Sequence, residues 1–238
     1  MENKVIDAIK EAEKVLVGIG EAFEEKFEGL KGDAFRLYEQ EEPLLAGYEK
    51  IEYLRKQKNH ETEEAYRKLY ELLKDKDYFI ITTCMDDRIY STPFDNSKIV
   101  APCGTYRFLQ CSDNCSKEIL PVTEKMITER ERIVCPHCKK EACFNQVTCE
   151  HYNENGYLPQ WEVYRKWLQQ TVNRNLCILE LGVGMKYPTV IRWPFEKIVM
   201  YNQKAKMFRV HETLYQLTKE IDDKAVSVAE NPITFLCN

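Results

Sequence analysis

The sequence predicts an α/β protein with a mostly parallel, Rossmann-like sheet covered by helices on both faces, plus a small helical and metal-ribbon domain. Three observations predict it. Short apolar runs at 14–20, 78–83 and 175–181 alternate with helical stretches. Two of these runs end in glycine pairs, Gly18/Gly20 and Gly182/Gly184. Half of the ten cysteines crowd into 111–143, where apolar periodicity fades and turn residues are frequent.

Along the chain, residues 3–13 space Val5, Ile6, Ala8, Ile9 and Ala12 as one helical face. The run 14–20 (KVLVGIG) reads as a buried strand entering a tight turn. Residues 21–76 read as several helices, clearest at 61–75, where charge alternates in sign as on solvated faces. The β-branched run YFIITT at 78–83 is a second buried strand. Helix resumes at 161–173, a third strand spans 175–181, and 206–211 suggests a further strand. A helix near 212–222 and a short element at 232–236 complete the chain. The expected division is a large domain of 1–20, 77–105 and 161–238, a helical segment at 21–76, and a ribbon module at 106–160.

Hydrophobic residues make up 44% of the 238, enough for a core, and charged residues 31% with a net charge of −5. No basic block suggests a nucleic-acid partner. No apolar run is long enough to cross a bilayer, and residues 2–14 lack the apolar centre of a signal peptide. A cytoplasmic location is the expectation, and there clustered cysteines are more often metal ligands than disulfides.

Cys111 and Cys115 form a CxxxC pair, and Cys135 and Cys138 a CxxC pair. Each turn can present two thiolates to one tetrahedral ion, so these four are the expected ligands of a structural zinc. Free thiols or a disulfide are the alternative, and His137, Cys143, Cys149 and His151 are nearby spares. Gly18 and Gly20 give a backbone that a phosphate could approach, but Phe23 stands where the dinucleotide fingerprint has its third glycine. The turn is thus open to two readings, a nucleotide site or a plain tight turn.

Taken together, these segments resemble the sirtuin family. Val15–Gly20 stands at the place of its nucleotide-binding glycine turn, and Ile80–Asp86 (IITTCMD) at its TTNVD-like strand end. The paired cysteines follow in order, and LELGVGMKYPTVIRWPFEK at 179–197 looks closest to the bacterial class M members, which are associated with protein ADP-ribosylation. The resemblance implies NAD bound between the two domains, cleavage of its nicotinamide–ribose bond, and a protein substrate. It places Gly18, Gly20, Gly182, Gly184 and His211 at the cofactor, with Asp86 on the nicotinamide carboxamide. Cys84 then stands where the family has asparagine, and Cys103 where it has its histidine base or, in class M, glutamine. Ala22 replaces a serine, Ile19 branches between the glycines, His211 replaces an asparagine, and no Pro-Asp-Phe-Arg-like loop follows residue 22. Cys103, Cys84 and Asp86 are therefore the candidate catalytic groups of an ADP-ribosyltransferase or deacylase with altered chemistry. The alternative is a non-catalytic homologue that binds a nucleotide or a protein partner in the same cleft.

Overall fold

The computed structural model describes residues 2–57 and 59–238. Helix α1 (Glu2–Glu11) leads into strand β1 (Lys14–Ile19). Helices α2 (Asp33–Glu41), α3 (Pro43–Lys56) and α4 (His60–Leu73) then precede β2 (Asp77–Thr82) and the short β3 (Ile99–Val100). Proline at the first position of α3 starts that helix without losing a bond, and the Asn59 side chain caps α4 by accepting from Thr62 N–H. The ribbon holds β4 (Gly104–Cys111), β5 (Leu120–Pro121), α5 (Glu124–Thr128) and β6 (Ala142–Gln146). The chain returns through α6 (Leu158–Gln169), β7 (Leu176–Leu181), α7 (Arg192–Tyr201), β8 (Ala205–Val210), β9 (Ala225–Val228) and α8 (Pro232–Cys237).

Six strands form one sheet in the order β3-β2-β1-β7-β8-β9, every neighbouring pair parallel. The chain winds outward from β1 in one direction and from β7 in the other. The crevice beyond the carboxyl ends of β1 and β7 is therefore the topological switch point. Burial on both faces explains the unbroken apolar runs. Val15, Val17 and Ile19 of β1 join α1, α4 and α8 in one core, while Leu16 joins α6 and α7 in a second. Gly18 lies on that second face, where a Cβ would overlap Ile191 and come within 2.8 Å of Phe195. Its bareness lets α7 pack on β1.

A third core joins Leu44, Tyr48 and Ile51 of α3 to Tyr106, Leu109 and Phe144 of the antiparallel β5-β4-β6 sheet. Helix α4, by contrast, buries Ala65, Leu69 and Leu73 in the first core. β4 runs on through the expected boundary after residue 105.

The helix expected near 212–222 does not form; bends and turns occupy it. Its backbone is held by side chains instead. Arg192 donates to Leu214 O, Arg209 donates to Gln216 O, and His211 Nδ1 accepts from the N–H groups of Thr213 and Leu214. Helix α7 and strand β9 are additional to the expected elements, and the element at 232–236 is the helix α8. No helix among the described residues is long and apolar enough to cross a membrane.

Candidate functional site at the switch point

The two glycine turns dock on each other. Gly20 N–H donates to Leu181 O at 2.9 Å, and Ala22 N–H donates to Gly182 O at 3.2 Å. A Cβ on Gly20 would overlap the backbone of Val183, so only glycine allows this approach. Gly182 has φ +63, where a side chain is strained, and a Cβ there would also overlap Ala22. Gly184 N–H points back across the crevice and donates to Glu21 Oε2 at 2.7 Å. The other oxygen, Glu21 Oε1, is buried with no hydrogen-bond partner among the described residues.

Cys84 follows β2, and its thiol donates to Gly20 O at 3.2 Å. Burial drives that thiol well above its ordinary pKa, and Asp86 adds to the effect. Cys103 is 1% exposed, and burial, then Glu21 and Glu24, push its thiol up to about 12. Both sulfurs therefore stay protonated at neutral pH. The crevice's imidazole is His211, whose pKa burial lowers, so it is neutral and its Nδ1 is occupied by backbone donors. Glu24 Oε1 accepts from Met85 N–H at 3.2 Å, and burial raises its pKa.

Asp86 acts as a clasp. Its Oδ2 accepts from Glu25 N–H at 2.8 Å and its Oδ1 from Arg88 N–H at 3.2 Å. Arg88 in turn pairs with Glu25 at 2.9 Å. Together they fix the segment after the first glycine turn to the end of β2. Burial raises the Asp86 pKa to about 6 despite both hydrogen bonds. Next to it, Asp87 sits in the left-handed region (φ 63), and burial pushes its carboxyl up to about 8, with the Asp86 charge adding to the effect. Asp86, Asp87, Arg88 and Tyr66 line an open cavity of about 530 Å³ between α3, α4 and the 86–93 segment.

A buried charge network underlies the crevice. Arg209 of β8 is 1% exposed and forks onto Glu180 of β7 at 2.6 and 3.0 Å. It also reaches Glu196 of α7 at 2.8 Å. Arg192 donates to Val183 O at 3.0 Å and to Leu214 O at 2.7 Å. The turns after β7 and β8 are thereby tied to one helix.

The four cysteine sulfurs of 111, 115, 135 and 138 lie within 4.8 Å of one another, with neighbouring pairs at 3.4–3.5 Å. Four thiolates at about 2.3 Å from a tetrahedral ion stand roughly 3.8 Å apart. The cluster is thus shaped to hold one metal ion, and Cys143, Cys149, His137 and His151 stand outside it.

No protein-family model matches the chain. It is 22% identical over 186 residues to the protein ADP-ribosyltransferase of Staphylococcus aureus, covering 73% of this chain and 59% of that protein. It is 27% identical over 153 residues to a probable bifunctional ADP-ribose hydrolase/ADP-ribosyltransferase of Fusarium oxysporum f. sp. cubense, covering 57% of this chain and 26% of that protein. The chain thus spans less than two thirds of the length of both. Sir2Tm bound to a propionylated peptide matches with a TM-score of 0.59 at 14% identity, over 98% of this chain and 94% of that one. A Sir2 homologue in complex with NAD matches at 0.60 and 12% identity, over 100% and 91%. The fold is that of the sirtuins.

Within this sirtuin fold the structure gathers Gly20, Gly182, Gly184, Cys84, Cys103 and His211 around the switch point. Gly18 stands apart, inside β1 and against α7. Sequence reasoning missed Glu21, which takes the Gly184 donor, and the Glu180–Arg209–Arg192 network. A glutamate inside the apolar run LCILEL was the one available signal for the network, since a charge buried there needs a partner.

Proposed function

We propose that this protein is a sirtuin-type enzyme that transfers ADP-ribosyl from NAD to a protein acceptor, with deacylation as the related activity of the same cleft. The observation that carries this is the docking of two bare glycine turns, Gly20 on Gly182, at the switch point of a sirtuin-fold sheet. The names of the two sequence relatives favour ADP-ribosyl transfer, and the 179–197 stretch favours a class M-like chain. A diphosphate would lie along the Gly20 and Gly182–Gly184 backbone, taking the Gly184 N–H that Glu21 now holds. In the reaction nicotinamide leaves with the bonding pair, and the acceptor's nucleophilic atom bonds to the ribose carbon.

This chain supplies no thiolate and no histidine base at Cys103. General-base loss costs about 10²–10⁴-fold, so an acceptor already anionic at neutral pH suits the site better than a neutral one. Asp86 would meet the carboxamide with a carboxylate whose two oxygens already accept Glu25 N–H and Arg88 N–H. Cys111, Cys115, Cys135 and Cys138 would hold a zinc ion, whose closed thiolate shell organises the ribbon and leaves the reaction to the crevice. A cytoplasmic protein partner completes the reading.

The Glu21–Gly184 bond and the neutral thiols favour a second reading, a homologue that binds nucleotide without turning it over. Calorimetry with NAD and with ADP-ribose, run beside a nicotinamide-release assay, separates them. Binding with release supports transfer, and binding without release supports the second reading. No binding of either ligand sinks both.

A further inference from the structure

Away from the crevice and the four-cysteine cluster, two more thiols meet. Cys143 lies on β6 opposite Gln110 of β4, and Cys149 lies in the turn that follows β6. Their sulfurs are 2.8 Å apart, closer than any pair in the metal cluster. The approach is built by the backbone. Cys149 N–H donates to Gln146 O at 2.9 Å, which folds the chain back on β6. Both residues are half-buried, so a small reagent reaches them from solvent.

We propose that Cys143 and Cys149 form a reversible intramolecular disulfide, a redox-modification site separate from the metal cluster. The oxidant is a low-molecular-weight disulfide such as oxidised glutathione. The Cys149 thiolate attacks one of its sulfurs, the oxidant's S–S bond breaks, and one thiolate leaves. Cys143 then gives up its proton and attacks the Cys149 sulfur, and the second thiol leaves. The protein loses two electrons and two protons, and the oxidant becomes two thiols. Cys149 goes first because the Cys143 thiol beside it lowers its pKa; in the reduced form its own thiol rests on Phe144 O at 3.0 Å.

The bond closes a short loop that is itself tied to the crevice. Val147 N–H donates to Cys103 O at 2.8 Å, and Gln146 pairs with Gly104. Oxidation therefore stiffens the segment that carries Cys103. The inference stands apart from the nucleotide reading, because no ligand enters it.

The test uses the full chain as purified with its metal, equilibrated in graded reduced and oxidised glutathione, then alkylated and mapped by peptide mass spectrometry. The expected result is one linked peptide containing Cys143 and Cys149, both alkylatable again after dithiothreitol, with bound metal unchanged. In C143S, Cys149 should instead carry a single glutathione. The proposal is overturned if both thiols remain alkylatable in oxidising buffer, or if the metal-cluster cysteines crosslink in their place. Mapping the unsubstituted chain decides the matter even where C143S fails to fold.

Discussion

Glu21 Oε2 accepts the Gly184 N–H at 2.7 Å, so a carboxylate of the chain itself takes the backbone donor facing the switch point. A diphosphate seated there would compete with one negative charge and lie beside it. At contact distance, in a site of intermediate polarity, such a pair repels by a few kcal/mol at most, and solvent reduces that to about 1–2 kcal/mol. Glu21→Ala should therefore tighten ADP-ribose binding about tenfold. Titration calorimetry on both proteins checks this, and equal affinities would remove Glu21 from the site.

The Arg209 fork onto Glu180 is among the most deeply buried ionic contacts of the fold. Removing one partner strands the other charge in the core, at a cost of about 3–5 kcal/mol. Arg209→Met should lower stability by that amount in urea denaturation. The double substitution Glu180→Met with Arg209→Met should recover part of the loss, because the Glu180 carboxylate is no longer stranded, while Arg192 loses Glu180 and Glu196 loses Arg209. A double variant as unstable as the single one would show that packing, rather than charge, dominates at this position.

How far the sequence could be read follows from the range of each interaction. Strands β1, β2 and β7 were legible because sheet burial on both faces leaves unbroken apolar runs. The metal cluster was legible because each cysteine pair lies within one turn. Helix α4 was legible as a helix, but Ala65, Leu69 and Leu73 do not say which surface covers them, and they pack on the sheet rather than with α3. Residues 212–222 carry helix-compatible composition, yet Arg192 of α7 and Arg209 of β8 engage their backbone, and the adjoining His211 takes up two of its N–H groups. The Glu21–Gly184 bond joins two loops far apart in sequence, and no local pattern announces it. The thiol state of Cys84 and Cys103 likewise depends on burial that spacing does not encode.

Asp87 gives a pH dependence with a definite sign. Its folded pKa of about 8 lies above the ordinary value of 3.8, so the folded state holds its proton more tightly than the unfolded chain. Its contribution is fully present below about pH 4 and is lost as pH rises through the window to about 8. Asp87→Asn stays neutral and tolerates the left-handed backbone at φ 63. The variant should match the parent near pH 4 and exceed it at pH 8 by up to about 5 kcal/mol, for a shift from 3.8 to about 8 at about 1.4 kcal/mol per unit. Melting curves across that range check it, and a constant difference between the two proteins would mean that Asp87 does not titrate in the fold.

Metal loss should act locally, because the ribbon and the parallel sheet have separate cores. The cluster joins Cys111, at the end of β4, to a turn in which Cys135 N–H donates to Lys140 O. Tyr106, Leu109 and Phe144 of the same ribbon make their core with α3, apart from the clusters around β1 and β7. Structural zinc sites contribute folding free energy directly, so Cys138→Ser should abolish metal binding and loosen β4, β5 and β6. Amide hydrogen exchange in those strands should rise at least about tenfold, equivalent to about 1.4 kcal/mol of lost protection. Amides of β1, β7 and β8 should keep their protection. Elemental analysis should find one zinc per chain in the parent protein and none in the variant. Uniform loss of protection through the large sheet would instead make the ribbon an integral part of one cooperative core.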